Sequence, residues 1–383
     1  MSGDLIDLLV VNNKLLQVYK GEGFYELRTQ TSSEPNTPTT HFKKVYVIDS
    51  INSGSGRKRE SSVYFQLLKP IFDDHLKIPH IYISTTSVST IHDFAGQLGE
   101  IEEDEVTVIF ISGDTSINEF ANGLTTTTSR KTINIFTIPS GTGNSLALSL
   151  GLADEIDAVK KLMTSKENPV PLNLYEVSFP SGSYYLIQDV KGPEITKPLK
   201  FLVVISWAFH ASLVADSDTP ELRVHGLDRF KMAAHENLSQ EQKYEGAVTI
   251  NDKVINGPFA YWLFTPARRF EPTFEILPDG NIFDDNLYFI SFNSEDDSSG
   301  KYIMDIMKDV YNKGAHIQNK KVTYQKVQRG DRITLNIENS KEKRKRRFCV
   351  DGSIVALPEV DDHVIDVSIT GNLVNNWVLN ILH

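Results

Sequence analysis

Cysteine is almost absent from this sequence, which has only Cys349 in 383 residues. A single cysteine excludes an internal disulfide framework and a cysteine-rich metal site, and it favours a reducing compartment. The sequence also lacks any run of about 18 apolar residues, so we expect no membrane-spanning helix. Basic residues are fewer than acidic ones, 39 against 50, so the formal net charge is −11 at pH 7. A general nucleic-acid binder would usually be basic, so we expect no nucleic-acid partner.

The N-terminus does not have the pattern of a secretory signal. Its acidic residues, Asp4 and Asp7, stand before or within a short apolar run, whereas a secretory signal begins with basic residues. Hydrophobic residues make up 40% of the chain and charged residues 23%, which is typical of a soluble globular protein. The length is sufficient for two domains. We therefore expect a cytoplasmic protein that reaches membranes only peripherally.

The most informative stretch of the chain is residues 106–151. Two short apolar runs, residues 106–111 and 133–138, each stop at a loop of small residues, and an amphipathic segment follows each loop. Continuous Val/Ile/Phe runs of this length are typical of strands that are buried on both faces of a parallel sheet. The loops SGDTS (112–116) and SGTGN (140–144) then lie where a strand gives way to a helix.

Two such loops should lie side by side at the carboxyl edge of the sheet, where open α/β sheets bind ligands. Small residues allow close approach of a ligand to the backbone, and a helix N-terminus offers unpaired N–H groups to an anion. The pattern therefore indicates a nucleoside triphosphate site with Asp114 at its centre. A carboxylate there could accept the proton of an acceptor hydroxyl or help to hold a metal. The alternative is that Asp114 only caps the next helix.

Both loops resemble the nucleotide loops of the superfamily of diacylglycerol, sphingosine and ceramide kinases. SGDTSINEFANGL is similar to the family pattern GGDGT-x-NE-x-x-NGL, and IPSGTGNSLALSLG is similar to P-x-GTGN-x-x-A. Ser112 replaces the first glycine, as in sphingosine kinases, and Thr115 replaces the last one. The resemblance implies a site for ATP and Mg²⁺ with Asp114 as the general base. It also implies nucleotide contacts from the remaining loop and helix residues, namely Ser112, Gly113, Thr115, Ser116, Glu119, Ser140, Gly141, Thr142, Gly143 and Asn144.

An earlier loop, DSINSGSGRKR, is similar to the family pattern NP-x-SG-x-G. Ser53, Gly54 and Gly56 match that pattern, whereas Ser50 and Ile51 replace its Asn-Pro pair. The resemblance implies that Ser50, Ser53, Gly54 and Gly56 also contact the nucleotide.

The order of strands and helices predicts two domains. Strands alternate with helices from Lys44 to about residue 163, whereas after Pro169 short strands follow one another without helices between most of them. We predict an α/β nucleotide domain over 44–167 and an all-β domain over 168–383, with N-terminal strands in 1–30 that pair with the β domain. The resemblance implies a Rossmann-like parallel-sheet domain joined to an antiparallel, lipid-binding β-sandwich, with the site in the cleft between them.

The second half of the chain adds further candidates through the same resemblance. LRVHGLDRF is similar to an R-x-x-G-x-x-RF element, which implies that Arg223 and Arg229 neutralise triphosphate charge. Asp216 and Asp218 are candidates for the lipid head group, although sphingosine kinases place their acids slightly earlier. RRFCVDGS is similar to F-x-VDGE, so Asp351 and Gly352 are candidates for nucleotide binding and Asp351 for the metal. The sequence Asp351-Gly352 is equally typical of a simple hairpin turn.

These features predict a lipid kinase that transfers the γ-phosphoryl group of ATP to the primary hydroxyl of a sphingoid long-chain base. A ceramide or diacylglycerol kinase is one alternative. A second is a non-catalytic binding protein, because Ser50, Thr115 and Ser353 depart from the family pattern and Thr115 would be strained if its φ were positive. The basic run KEKRKRR (341–347) suggests a transient contact with an anionic membrane surface, a solvated loop or a nuclear-localisation signal.

Overall fold

A computed structural model of the chain describes residues 4–51, 56–226, 228–296 and 300–383. The chain divides into two compact units, one of Met1–Leu172 with Asn372–His383 and the other of Asn173–Gly371. The C-terminal segment therefore belongs to the first unit and not to the β domain predicted over 168–383. Within the described ranges, no helix is both long and apolar enough to cross a membrane.

Over its described residues, the first unit begins with eight strands and four α-helices. The strands are β1 (Asp4–Val11), β2 (Lys14–Gly21), β3 (Phe24–Thr31), β4 (Lys44–Asp49), β5 (His80–Ser84), β6 (Glu105–Ser112), β7 (Lys131–Pro139) and β8 (Val170–Pro171). The α-helices are α1 (Thr90–Gln97), α2 (Asp114–Gly123), α3 (Ser145–Ser149) and α4 (Glu155–Thr164). Short 3₁₀ turns span Arg59–Ser61 and Leu98–Glu100.

A helical segment with an unusual backbone follows the loop after β4. It contains two π-helical stretches, Tyr64–Leu68 and Ile71–Leu76, on either side of Lys69 and Pro70. Proline has no N–H to donate to the preceding turn, so the regular hydrogen-bond pattern cannot continue through Pro70.

The second unit is formed mainly by antiparallel strands. They are β9 (Leu174–Ser178), β10 (Tyr184–Ile187), β11 (Val190–Glu194), β12 (Leu199–Phe201), β13 (Ile205–Ala208), β14 (Gly246–Ile250), β15 (Lys253–Asn256), β16 (Phe259–Thr265), β17 (Asn286–Asn293), β18 (Val322–Gln328), β19 (Ile333–Ile337), β20 (Arg347–Val350), β21 (Ser353–Ala356) and β22 (His363–Gly371). Its α-helices are α5 (Phe209–Ser217), α6 (Pro220–Arg223), α7 (Asp228–Leu238) and α8 (Lys301–Tyr311), and 3₁₀ turns span Ala315–Gln318 and Lys343–Arg346.

The strands of the second unit form two sheets around one core. One sheet has the order β11-β10-β21-β20-β13-β16-β17-β18 and the other has the order β12-β9-β22-β19-β14-β15. Both contribute to one buried cluster, in which Trp207 and Trp262 of the larger sheet join Tyr175 and Leu335 of the smaller one. This packing of two inner faces is that of a β-sandwich, as the sequence predicts.

The chain then returns to the first unit as β23 (Leu373–Val374) and β24 (Trp377–Ile381). The sheet has the order β23-β24-β7-β6-β4-β5, and the four pairings from β24 to β5 are parallel. Strand β24 is therefore the last parallel strand next to β7, and the short β8 pairs with it in the antiparallel direction. The predicted fold class, a parallel α/β unit and an antiparallel β unit, is confirmed.

The N-terminal strands differ from the prediction that they pair with the β domain. They form a separate antiparallel sheet, β1-β2-β3, within the first unit. Asn12 and Asn13 form the turn between β1 and β2, with φ values of 52° and 62° that suit a tight hairpin. Alternating apolar residues show that a strand has a buried face, but they do not show which element packs against it or which strand pairs with it.

Candidate nucleotide site

The two small-residue loops are in direct backbone contact at the carboxyl edge of the parallel sheet. Strands β6 and β7 are neighbours, with Ser112 opposite Pro139. The Ser140 N–H donates to the Ser112 carbonyl at 3.1 Å, and the Asp114 N–H donates to the Gly143 carbonyl at 3.2 Å. A Cβ on Gly113 would lie 2.6 Å from that same carbonyl oxygen. The first loop therefore requires glycine at 113 because the second loop approaches so closely.

Asp114 links the two loops through its side chain. The residue is buried, with 8% of its surface exposed. One carboxylate oxygen accepts a hydrogen bond from the Ser145 N–H at 2.7 Å and the other accepts from the Leu146 N–H at 3.1 Å. Asp114 is the first residue of α2, yet its side chain caps α3, which follows the other loop. Asp114 therefore caps a helix, although not the one that directly follows it, and its role as a general base stays a prediction.

Asn144 does not cap the helix that follows it. Its side-chain oxygen accepts from the Gly141 N–H at 3.1 Å, and its side-chain nitrogen donates to the Gly141 carbonyl at 2.7 Å. The loop is thus closed on itself by one asparagine side chain. This leaves the N-terminus of α3 to Asp114 and gives the loop a fixed shape without a ligand.

Three successive N–H groups of the second loop, those of Thr142, Gly143 and Asn144, have no hydrogen-bond acceptor among the residues that the structure describes. Gly143 is exposed and its two neighbours are half-buried. Successive unpaired N–H groups form a concave site that attracts an anion. The sequence favours anion contacts from both the loop and the helix N-terminus, but the Ser145 and Leu146 N–H groups of the helix donate to Asp114. The available donors are instead in the loop itself.

One departure from the family pattern, Thr115, lies in a helix and causes no backbone strain. Thr115 lies inside α2 and is not among the residues with positive φ, so the expected strain at this position does not occur. The Ser116 N–H donates to the Gly113 carbonyl at 3.3 Å.

Glu119 is half-buried, and burial raises the pKa of its carboxyl group to about 7. A carboxyl group with such a pKa can exchange a proton near neutral pH.

The earlier loop contributes an ion pair that the sequence motifs do not predict. Asp49, at the end of β4, is fully buried and accepts hydrogen bonds from Arg57 at 2.5 Å, Ser62 at 2.5 Å and Tyr82 at 3.1 Å. Arg57 also donates to the Ser140 carbonyl at 3.3 Å. An acidic residue at the end of an otherwise apolar strand was the available signal, because a buried carboxylate needs a cationic partner.

Among the residues predicted for this earlier loop, Ser50 and Gly56 are described. The Ser50 N–H donates to the Ile111 carbonyl at 3.1 Å, and Gly56 has a φ of +78°. Ser53 and Gly54 lie outside the described residues.

In the second unit, the two predicted arginines pair with Asp218, and the other predicted acid, Asp216, pairs with Arg347. Arg223 and Arg229 lie 3.0 Å and 3.6 Å from the same oxygen of Asp218. Asp216 accepts two hydrogen bonds from Arg347, at 2.5 Å and 3.2 Å, and a third from an asparagine of α7 at 2.9 Å. Both acids proposed for a lipid head group therefore already have cationic partners.

Asp351 and Gly352 form a two-residue hairpin turn between β20 and β21, with φ values of 47° and 91°. The Asp351 carboxylate is buried and accepts hydrogen bonds from the backbone N–H groups of Leu202, Val203 and Val204, at 2.7, 2.9 and 2.7 Å. The hairpin alternative thus describes this segment, and its aspartate also fixes the preceding strand connection. This geometry gives the predicted metal role of Asp351 no support.

Most of the basic run at 341–347 is neutralised by nearby acids. Lys343 pairs with Asp189 at 2.6 Å and Lys345 pairs with Glu342 at 3.0 Å, while Arg347 pairs with Asp216 as described above. These ion pairs reduce the positive charge that the run can present to a membrane.

Within the described ranges, no cluster of three His, Cys, Asp or Glu side chains is arranged to hold a metal ion.

Comparison with known proteins agrees with this geometry. Residues 44–174 match the family of diacylglycerol kinase catalytic domains. A curated relative, sphingosine kinase B of Dictyostelium discoideum, is 29% identical over 123 residues, which are 31% of this chain and 16% of that protein. The chain therefore spans only about a sixth of the length of this relative.

Solved structures show the same fold. A chain from Bacillus anthracis str. Sterne, named provisionally as a diacylglycerol kinase, has a TM-score of 0.59 and 15% identity, over 90% of this chain and 98% of that one. A second structure of a diacylglycerol kinase from this strain has a TM-score of 0.52 at the same identity and coverage. At 15% identity, these comparisons show that the folds are similar and nothing more.

Proposed function

Residues 44–174 belong to the diacylglycerol kinase catalytic family, in the superfamily that includes the sphingosine kinases, and from this premise we propose that the chain is an ATP-dependent lipid kinase. Its acceptor in this proposal is the primary hydroxyl of a sphingoid long-chain base. The observation that carries the proposal is the set of N–H groups at Thr142, Gly143 and Asn144 that have no acceptor within the described residues, next to the fixed carboxylate of Asp114.

In this proposal the residues of the two loops bind and orient the reactants. The unpaired N–H groups of the second loop bind phosphate oxygens, and the loop is already held in shape by Asn144, so little ordering is needed on binding. Phosphoryl transfer depends mainly on positioning and on charge stabilisation, which fits a site made of backbone amides. Asp114 accepts the proton of the lipid hydroxyl.

Magnesium, when bound with ATP, would neutralise phosphate charge. Such a cation is usually held through phosphate oxygens and one or two carboxylates, so the donor set of the described residues is compatible with it without a dedicated cluster. Asp114 is the carboxylate of the two loops that could contribute to this coordination.

Two observations bear on the acceptor and point in different directions. The named sphingosine kinase relative and the Ser112-Gly113-Asp114 sequence support a sphingoid base. The ion pairs of Asp216 and Asp218 favour a second candidate, a ceramide or diacylglycerol acceptor, because neither acid is left to pair with a lipid amine. A phosphorylation assay distinguishes the two candidates.

The assay uses the full chain, radiolabelled ATP, Mg²⁺ and mixed micelles that contain sphingosine, ceramide or diacylglycerol. We expect label in the sphingosine product. If label appears only in ceramide or only in diacylglycerol, the proposed acceptor is wrong and the proposal of a lipid kinase stands. Binding of ATP without transfer to any of the three would instead support a non-catalytic binding protein.

The role of Asp114 needs a matched control, because this side chain also caps a helix. Asp154 caps α4 in the same way, accepting from the Ile156 and Asp157 N–H groups at 3.0 and 2.9 Å. Asparagine is about as favourable as aspartate at an N-cap, so Asp154→Asn should leave stability nearly unchanged. Asp114→Asn loses one of two hydrogen bonds to a charged acceptor and should cost about 1.5–3 kcal/mol. Only Asp114→Asn should lower turnover, by about 10²-fold or more. Equal turnover in the two variants would remove Asp114 from the chemistry.

A further inference from the structure

The N-terminal sheet reaches the nucleotide loop through one tyrosine. Strands β1 to β3 lie outside the stretch that matches the kinase catalytic family, which begins at residue 44. Tyr25, on β3, donates its hydroxyl hydrogen to the Glu155 carboxylate at 2.8 Å. Its backbone N–H donates to the Gln66 side-chain oxygen at 2.7 Å. The tyrosine is thus fixed at both its main chain and its hydroxyl group.

Glu155 connects this tyrosine to the second loop. It is the first residue of α4, where a negative charge is favourable because of the helix dipole. One of its carboxylate oxygens accepts from Tyr25, and the other accepts a short hydrogen bond from the Ser140 hydroxyl group. Burial and the negative charge of Glu155 both raise the pKa of the Tyr25 hydroxyl, so it remains a donor at neutral pH.

Ser140 directly precedes the glycine that contacts the first loop. Its side chain bonds to Glu155, its N–H to the Ser112 carbonyl, and its carbonyl oxygen to Arg57. Three different elements therefore hold this single residue. The shape of the loop at 141–144 depends on where Ser140 is held.

We propose that Tyr25 and Glu155 are positioning residues for the nucleotide loop and that the N-terminal sheet sets the affinity of this loop for ATP. The inference rests on the proposed function only for the identity of the ligand. Without the Tyr25 hydroxyl, Glu155 can turn towards water and Ser140 loses the fixed orientation of its acceptor. A loop that must be ordered on binding has a lower affinity than one that is already ordered.

The first test measures backbone order and needs no ligand. Hydrogen exchange of the full chain is followed at the protected N–H groups of Ser140, Ser145 and Leu146 in the wild type and in Tyr25→Phe. Loss of one hydrogen bond of this kind predicts exchange that is about fivefold faster at these positions. Exchange in the central strand β6 should not change, which separates a local effect from a general loss of stability.

The matched control is Tyr19→Phe on the neighbouring strand. Tyr19 belongs to the same sheet, and within the described part of the chain its hydroxyl makes no hydrogen bond. This variant removes the same atom without touching Glu155, so its exchange and ATP affinity should equal those of the wild type. If Tyr25→Phe behaves as Tyr19→Phe does, the inference is wrong.

The second test is binding of MgATP and, where lipid turnover is seen, its kinetics. Tyr25→Phe should weaken MgATP binding by about fivefold and raise KM for ATP without a comparable change in kcat. The double variant Tyr25→Phe/Ser140→Ala should be no weaker than Ser140→Ala alone, because both changes act through Glu155. Additive losses would overturn the proposed connection.

The two proposals fail in different ways. If the wild type does not bind MgATP, the proposed function is refuted, while the exchange rates still decide whether Tyr25 orders the loop. If MgATP binds equally well to wild type and Tyr25→Phe, the kinase proposal stands and the role of the N-terminal sheet is refuted.

Discussion

The contact between the two loops predicts that alanine has different effects at Gly141 and at Gly143. A Cβ on Gly141 would lie 2.5 Å from the Gly113 Cα atom and 2.7 Å from the Gly113 nitrogen. A Cβ on Gly143 would meet no described atom within 4 Å. Neither glycine has a positive φ, so alanine is not excluded by backbone conformation at either position. The substitutions differ in what the new methyl group meets.

Gly141→Ala must separate the two loops, because both colliding atoms belong to the backbone and cannot rotate away. Inserting a methyl group into closely packed structure costs about 1–3 kcal/mol. The same movement weakens the hydrogen bonds from the Ser145 and Leu146 N–H groups to Asp114, each worth about 1.5–3 kcal/mol because the acceptor is charged. We expect a total loss of about 3 kcal/mol, which lowers Tm by about 5 °C or more for a unit of this size.

Gly143→Ala should leave stability unchanged or raise it slightly, by up to about 1 kcal/mol, because alanine restricts the unfolded chain. Its effect should appear in nucleotide binding instead. The methyl group occupies the open side of the loop that carries the unpaired N–H groups, so the affinity for MgATP should fall by about tenfold or more.

The assay is calorimetric unfolding together with titration of MgATP into each variant. Wild-type stability in Gly141→Ala would show that the loops do not touch as described. Wild-type affinity in Gly143→Ala would show that phosphate does not bind over this loop, and the proposed nucleotide site would be lost with it.

Three further predictions concern the second unit. Ala208 has a φ of +61° and a ψ of −138°, a conformation that favours glycine, so Ala208→Gly should raise stability to chemical denaturation by about 1 kcal/mol. Asp351→Asn removes the charge that three backbone N–H groups contact, and it should lower the free energy of unfolding by about 2 kcal/mol or more. Burial lowers the pKa of His210 to about 4, so the unfolded state takes up a proton at higher pH than the folded state does. The contribution of His210 to stability is therefore complete above about pH 6.5 and is lost as pH falls towards 4, by about 2 kcal/mol at pH 5; His210→Gln should flatten this part of the stability curve.

Each of these predictions has a contrary outcome in the same unfolding experiments. A less stable Ala208→Gly would mean that the alanine methyl group contributes more by packing than its backbone costs. An unchanged Asp351→Asn would show that the three N–H groups find other acceptors. A His210→Gln curve parallel to the wild type between pH 7 and 5 would assign the pH dependence to other groups, such as the buried His316 and His363, whose pKa values burial also lowers.

The sequence by itself determined the local elements of this protein. Apolar runs that end at small residues identified β6, β7 and their loops, because burial on both faces requires such runs and close backbone approach requires glycine. The change from alternating elements to successive strands identified the β unit. The loop motifs identified the family, since their residues are close together in the chain and need no knowledge of distant contacts.

Only the tertiary structure decided which distant groups meet. The N-terminal strands, the strand β24 and the partner of Asp114 were all misplaced or missed from sequence. For β24 and Asp114, a sequence pattern shows that a strand or a carboxylate needs a partner, but the partner lies tens of residues or more away in the chain. The N-terminal strands are the opposite case, because a distant partner was expected and they pair with one another. Burial and hydrogen bonding require that an apolar face or a polar group has a partner, but they do not specify which group that is. The partner is determined only when the chain folds.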